Sequence, residues 1–589
     1  MTSAEIRKKF IEYFASHGHT AVASSSLLPD DPSVLLTTAG MQQFKPYYTR
    51  AADPQKDFGA LNTVSIQKCF RTSDIDEVGD STHLTFFEML GNFSFGGYMK
   101  KEAITYAYEL LTQELKLPIS YVTIFKGSHG VPKDEESRAI WQSLGVADVR
   151  EEGIDDVFWG PTGTSGPCGP TTEIYCKNAE GKDVEIWNIV FNQFFYPGSR
   201  EELLAQNPDK KLEPLEIPGV DTGMGFERLV MTVQQTKDLY ETDLFAPFLD
   251  LLPETVSLRH KRIFIDHLRG SSFLLADGVR PSNKGAGYIL RRLMRRVLAY
   301  EYLNELGAHV ADGLVHDIVH EYAQFYPELL RENDAIRIEW DVERAKFKKT
   351  IAGGMKALEA ACRESEITAM QAFDLYQSFG LPYEIIKEIG GAATERLTLD
   401  AFTEEFRKHQ EASRAGLEKK FGGHGLLLDT GELKAKDEEE LKKVTRLHSA
   451  THLVQAALRK VLGEEVHQMG SDITVERTRF DFSFPRKLDR SEIEAVEKLV
   501  NEAIERDLTV VREELPYEEA MKRGALHFFK EKYPQKVSIY TFSDPSGVFS
   551  MEFCGGPHVT HTKEIGKFAI LKEEASSAGV RRIRAAVYP

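Results

Sequence analysis

Between residues 30 and 230 the apolar residues come in runs of strand length. SVLLTT, THLTFFEML, TTEIYC and EIWNIVFNQFFY are examples, and Gly/Pro turns with only a few helical patterns lie between them. A doubly wound nucleotide fold would show repeated strand-helix units and a G-x-G-x-x-G turn after its first strand. No such turn follows the first strand, and no Walker A loop is present. The pattern therefore predicts an antiparallel sheet in an α+β domain, led into by an amphipathic helix with Ile6, Phe10 and Phe14 on one face.

From about 245 to 420 the chain changes to long helical patterns such as EWDVERAKFKKTIAGGMKALEAAC. A glycine-rich break, FGGHG at 421–425, and a charged run at 434–443 then precede a mixed α+β segment. At 589 residues the chain is too long for one core, so the reading is an α+β multidomain protein divided as 1–245, 246–440 and 441–589. No internal repeat suggests a solenoid.

Composition narrows the class of partner. No apolar run approaches the length of about eighteen residues that marks a membrane helix, and Met1–Phe10 is charged rather than signal-like, so a cytoplasmic protein without membrane contact is expected. Five scattered cysteines suit a reducing compartment. The net charge of -18 argues against a nucleic-acid partner, but residues 261–300 run the other way. Lys261, Arg262, Arg269, Arg280, Lys284, Arg291, Arg292, Arg295 and Arg296 face only Asp266 and Asp277 there, which predicts a local basic footprint.

Two patterns in the first segment carry chemistry. In KCFRTSDIDEVGDSTHLTFFEMLGNFSFG, Arg71 ends an apolar strand and a second, aromatic strand begins near His83. An arginine so placed can hold a phosphate while a ring stacks on a base. In GVDTGMGFERL, Gly223 and Gly225 allow close backbone approach, and Arg228 follows at the start of a helix. Taken singly, a hairpin with a surface arginine and a glycine turn into an ordinary helix stay open.

Together and in this order the two resemble motifs two and three of the class II aminoacyl-tRNA synthetases. FFEMLGNFSFG, GPCGPTTEIY, EIWNIVFNQF and VDTGMGFERL resemble the alanyl-tRNA synthetase family in particular. The resemblance implies an antiparallel sheet flanked by helices, binding ATP, Mg²⁺ and alanine. It places Arg71 on the α-phosphate, Arg228 on the distal phosphates and His83 at the nucleotide. Asp221 would hold the substrate ammonium, and Met89, Trp159, Val190 and Gly223 would shape the alanine pocket. Such chemistry needs positioning and charge neutralisation but no nucleophile, so Cys168 reads as a small residue in a turn.

In DGVRPSNKGAGYILRRLMRRV, the arginine pairs Arg291/Arg292 and Arg295/Arg296 recur four apart and share a helical face, free to grip phosphates or simply solvated. The segment resembles the tRNA-binding part of the same family, in which the residue matching Asn283 reads a G·U pair in the acceptor stem of tRNA(Ala). Ala286 stands where the family usually has arginine.

His448 and His452 in RLHSATHLV, with Cys554 and His558 in EFCGGPHV, offer a Zn²⁺ ligand set. The first spacing alone is not specific, since His316 and His320 repeat it; without a Cys/His partner motif those two read as ordinary helix histidines. HSATHL, QMGSDI, RFDFSFP, CGGPHV and SSAGVRRI resemble the family's editing domain, which implies hydrolysis of mischarged tRNA, with Thr451 and Gln468 lining that pocket. Two departures stand out. Little chain separates KKFGGHG at 419–425 from LHSATHL at 447–453, where relatives carry a β-barrel, and the usual C-terminal coiled coil and globular domain do not follow AGVRRIRAAVYP. A monomer is expected on that ground. A free-standing deacylase and a synthetase-like binding protein remain as alternatives.

Overall fold

The strand-length runs assemble into a nine-stranded sheet in the computed structural model, which describes residues 1–31, 33–408, 438–526, 536–577 and 580–588. Its strands are β1 (Thr20–Ala21), β2 (Asn62–Phe70), β3 (Phe86–Ser94), β4 (Ile119–Phe125), β5 (Val149–Glu152), β6 (Phe158–Trp159), β7 (Gly166–Lys177), β8 (Asp183–Tyr196) and β9 (Glu213–Gly225). They run in the order β1-β2-β3-β9-β8-β7-β4-β5, with β6 paired to β7. The pairs from β2 through β4 are antiparallel; only the edge strands β1 and β5 run parallel to their neighbours. SVLLTT does not join the sheet. Its Thr37 accepts one bond from the Phe70 amide and Leu35 is exposed, so a strand-like composition without a ladder partner stays a loop.

Period-two alternation gives β3 two distinct faces. Phe86 stacks on Phe273 of the helix Leu258–Ala276 behind the sheet, with ring centroids 4.0 Å apart. Glu88 points the same way and is fully buried. Arg7, on the amphipathic helix Ser3–Ser16, grips both Glu88 oxygens at 2.6 and 2.7 Å. The Tyr326 hydroxyl donates to Glu88, Arg269 donates to Glu227, and Glu227 accepts the Glu88 amide at 3.1 and 3.2 Å. A buried carboxylate costs several kcal/mol when left alone, and this mutual pairing offsets that cost.

Sheet and following helices pack as one compact unit, Met1–Thr403, so the segment 1–245 is continuous in space with the helical segment as far as Thr403. The second unit is Glu404–Pro589. FGGHG and residues 434–437 of the charged run lie outside the described residues. In this unit the helices Glu438–Leu462 and Arg490–Glu505 accompany two small antiparallel sheets. One is β10 (Gln468–Ile473), β11 (Thr478–Ser483), β16 (Val580–Tyr588) and β15 (Lys567–Ser577), in that order; the other is β12 (Thr509–Pro516), β13 (Lys536–Asp544) and β14 (Gly547–Phe553). Ala450, Leu453, Phe480, Phe482, Val496, Val500 and Phe542 fill its core. Among the described residues no helix is long and apolar enough to cross a membrane.

Candidate active site and metal centre

The front face of the large sheet carries a pocket. Asp221, Gly223 and Gly225 alternate along β9, opposite Val190 and Asn188 of β8 and Met89 of β3. Arg71 follows the last residue of β2, His83 sits in the loop before β3, Trp159 lies on β6, and Arg228 occupies the first turn of the helix Phe226–Val233. Arg71, His83, Met89, Trp159, Val190, Asp221, Gly223 and Arg228 all line this one pocket. Gly223 keeps the backbone close to Met89: a Cβ there would lie 3.0 Å from the Met89 sulfur, so that side chain would have to give way.

The charges of the pocket are incompletely answered. Arg71 lies over the Phe87 ring at 4.8 Å, and Arg228, 41% exposed, reaches Glu185 only at 3.4 Å. His83 donates from Nδ1 to Asp80 at 2.6 Å, which turns Nε2 away from that carboxylate. Asp221 is buried, and that burial pushes its carboxyl up to about 7. An ammonium group brought to it would restore the charged form. Cys168 is buried too, its thiol pushed up to about 12 by loss of hydration, an inert state for a thiol.

Sequence reasoning missed Glu185, Asn188 and Phe87, which also line the pocket. Counting back in twos from Val190 reaches Asn188, and from Met89 reaches Phe87. Glu185 was not legible in this way, because the β7–β8 register shifts beside it, between Ile174 and Tyr175. Asn188 donates to Glu173 at 3.1 Å, while its Oδ1 is buried without a hydrogen-bond partner. Burial, then the Glu185 charge, push the Glu173 carboxyl up to about 7. With Glu185, the open Asn188 oxygen forms an oxygen donor set that fits a hard divalent cation beside Arg228.

Within the expected basic footprint at 261–300, most of the cations meet partners in the fold. Arg269 is buried on Glu227, Arg262 bonds Asp238, and Lys261 donates to the Leu249 and Leu252 carbonyls at 3.4 and 2.8 Å. On the helix Gly285–Leu303, Arg292 is held between Glu384 and Asp76, the latter at 2.7 Å. Arg295 and Arg291 reach Glu343 at 2.7 and 3.4 Å, and Arg296 is buried against the Ile75 carbonyl at 2.7 Å. Long-range acids thus pair with Arg291, Arg292 and Arg295, which also line a small pocket with Tyr288 and Tyr376. Asn283 and Lys284 are exposed in the preceding loop, and Arg291 donates to the Asn283 oxygen.

In the second unit His448, His452, Cys554 and His558 converge, with ligand atoms all within 4.8 Å of one another. Each imidazole is turned by a partner on Nδ1: the Pro557 carbonyl for His448 at 3.3 Å, Glu552 for His452 at 2.7 Å, and the Ser449 hydroxyl for His558 at 3.2 Å. A carbonyl or carboxylate can only accept, and the Ser449 hydroxyl already donates to the Thr445 carbonyl at 2.9 Å, so each Nδ1 carries the proton and Nε2 faces inward. Nε2 of His448 and of His558 lie 3.5 and 3.3 Å from the Cys554 sulfur, while Nε2 of His452 is buried with no hydrogen-bond partner. A thiolate with three inward lone pairs fits Zn²⁺. The loop of CGGPHV needs Gly556 here, since a Cβ would meet the His448 ring at 2.3 Å.

Thr451 lies on the same helix and donates to the His448 carbonyl at 2.6 Å, and Gln468 opens β10. His316 and His320 sit exposed on the helix Ala308–Tyr322 and gather no cysteine or acid; among the described residues the only such cluster is the one around Cys554.

Comparison with known proteins adds to this geometry. Residues 5–480 match the family described as tRNA synthetases class II (A), and residues 537–584 match the threonyl and alanyl tRNA synthetase second additional domain. The chain is similar to the alanine–tRNA ligase of Borrelia hermsii, at 41% identity over 99% of both chains. It is 40% identical to that of Treponema pallidum, over 99% of this chain and 97% of that one. With the longer ligase of Dehalococcoides mccartyi it shares 35% identity over 99% of this chain and 80% of that one.

Proposed function

The chain belongs to the alanyl-tRNA synthetase family within class II, and from that premise we propose that it is an alanine–tRNA ligase that also edits its product. The observation that carries the reading is the convergence of Arg71, Asp221 and Arg228, from separate segments, on one pocket. In the first step the alanine carboxylate attacks the α-phosphorus of ATP and pyrophosphate leaves. In the second the terminal ribose hydroxyl of tRNA(Ala) attacks the alanyl carbonyl and AMP leaves.

Asp221 holds the ammonium, while Met89, Trp159, Val190 and Gly223 bound the space for a methyl group. Arg71 neutralises charge at the α-phosphate, Arg228 turns from Glu185 to the distal phosphates, and His83 presents Nε2 to the nucleotide. Mg²⁺ supplies further neutralisation when bound, and Glu185 with Asn188 would hold it. Residues 1–245 thus serve catalysis. In 246–440, Asn283 on its exposed loop is the group placed to read the acceptor stem of tRNA(Ala), with Arg291 fixing its amide. Arg291, Arg292 and Arg295 belong with it as the tRNA-binding group, held in place by Glu343, Glu384 and Asp76.

A pocket for alanine separates glycine or serine by only about 10- to 200-fold, so a second sieve has a purpose. We assign hydrolysis of seryl- and glycyl-tRNA(Ala) to 441–589. There His448, His452, Cys554 and His558 would hold Zn²⁺, which supplies a Lewis acid, and Thr451 and Gln468 would line the pocket. We further propose that the chain acts as a monomer in the cytoplasm.

Alanine-dependent exchange of pyrophosphate into ATP tests the reading directly and should be robust. Asn283→Ala should keep that exchange while losing most transfer to tRNA(Ala) and its preference for a G·U pair. Absence of alanine-dependent exchange in folded protein would overturn the ligase reading.

A further inference from the structure

Glu552 is a buried carboxylate on β14, on the same strand face as the buried Ser550. Its cross-strand neighbours on β13 are Tyr540 and, opposite Ser550, Phe542. Such surroundings penalise an ionised carboxylate by several kcal/mol unless hydrogen bonds and an opposite charge answer it. Among the described residues, its side-chain hydrogen-bond donors are the Ser550 hydroxyl at 2.8 Å and His452 Nδ1 at 2.7 Å.

A structural ion pair alone does not account for this arrangement. A charged His452 would carry a proton on Nε2 as well, and that buried nitrogen has no hydrogen-bond partner. The nitrogen instead joins the cluster with His448, Cys554 and His558. Phe542 stacks against the His452 ring, with centroids 5.5 Å apart, and so limits its tilt. The remaining freedom is a ring flip that would put the carbons Cδ2 and Cε1 where Nδ1 and Nε2 stand, and the Glu552 bond opposes it.

We propose that Glu552 is a positioning residue of the metal centre, itself steadied by Ser550, that fixes the tautomer and orientation of His452 so that Nε2 binds Zn²⁺. This rests on the zinc reading above. By holding the Nδ1 proton, the carboxylate also makes Nε2 a better donor, an effect a neutral amide reproduces poorly.

The test uses the full chain with Zn²⁺ as the probe, competed against a chromogenic chelator. Elemental analysis of the unaltered protein should give stoichiometric zinc; none would remove the metal reading and this inference with it. Glu552→Gln should weaken zinc binding by about 10- to 100-fold, and affinity unchanged within about twofold would overturn the inference while leaving the metal reading intact. Cobalt substitution adds a readout that packing does not move: the ligand-field bands should shift in Glu552→Gln. Should that variant fail to fold by circular dichroism, Ser550→Ala carries the test. It should cost roughly three- to tenfold in zinc affinity, as one neutral hydrogen bond allows, and no loss would overturn the role.

Discussion

Arg292 and Arg228 lie in the same compact unit and each meets a glutamate, yet their settings are opposite. Arg292, 13% exposed, is shared by Glu384 and Asp76 across a helical interface. Arg228, 41% exposed, stands at the pocket mouth against a single glutamate at 3.4 Å. The first has its charge consumed by the fold; the second has most of its charge still to give. Among these arginines the countercharge, more than the local density of basic residues, separates a structural cation from one ready for a phosphate.

Arg292→Ala should have the largest effect. Removing it leaves Glu384 and Asp76 close together in a buried place, at a cost of about 3–5 kcal/mol in stability. Denaturant unfolding of the full chain should show it as an early loss of the first unit. Arg228→Ala should slow alanine-dependent pyrophosphate exchange by about 10²–10³-fold, since it removes one preorganised charge at the reacting phosphates. Its unfolding should move by less than about 0.5 kcal/mol, as for a surface change. Crossed results, with Arg228→Ala unfolding the protein and Arg292→Ala merely slowing exchange, would break the comparison.

The acids beside them sharpen it with a smaller effect. Burial works against the Glu384 charge, but Arg292 and Arg296 hold its carboxyl well below the usual range, so it adds stability above its unfolded pKa and loses it as pH falls through the lowered value. Asp76, which shares Arg292, is pushed up by burial and then by Glu384. Asp221 has no such cation, and burial alone takes it up to about 7. It therefore costs nothing in stability below its unfolded pKa of about 3.9, and the cost grows as pH rises toward 7. Only its ionised form pairs with an ammonium. The KM for alanine should rise by about tenfold per pH unit below 7, and Asp221→Asn should flatten that slope. A flat profile in the unaltered protein would mean that another group meets the ammonium.

Much of the pocket was legible because its residues sit in short patterns, a strand end before a polar loop or a glycine pair before a helix. Alternation along β8 and β9 then places Val190, Asp221 and Gly223 on one face. The acids that hold the arginine helix were not legible, because Glu343 and Glu384 lie 48 and 92 residues beyond the residues they bind, a distance no local pattern reports. The two H-x3-H pairs show the same limit. Spacing puts both imidazoles of each pair on one face, but only His448 and His452 meet a thiolate and acceptors that turn Nε2 inward.

The two-faced strand β3 works like a key with its bitting on one edge. Phe87 and Met89 turn toward substrate, while Glu88 between them fits only where Arg7, Arg269 and Tyr326 wait behind the sheet. A slip of one residue would thrust a carboxylate into the alanine pocket and drive a methionine into a cradle of cations. The ion network thereby favours the register in which the pocket is aligned. The opening helix takes part in that check through Arg7, so trimming it should disturb alanine recognition on the far face of the sheet.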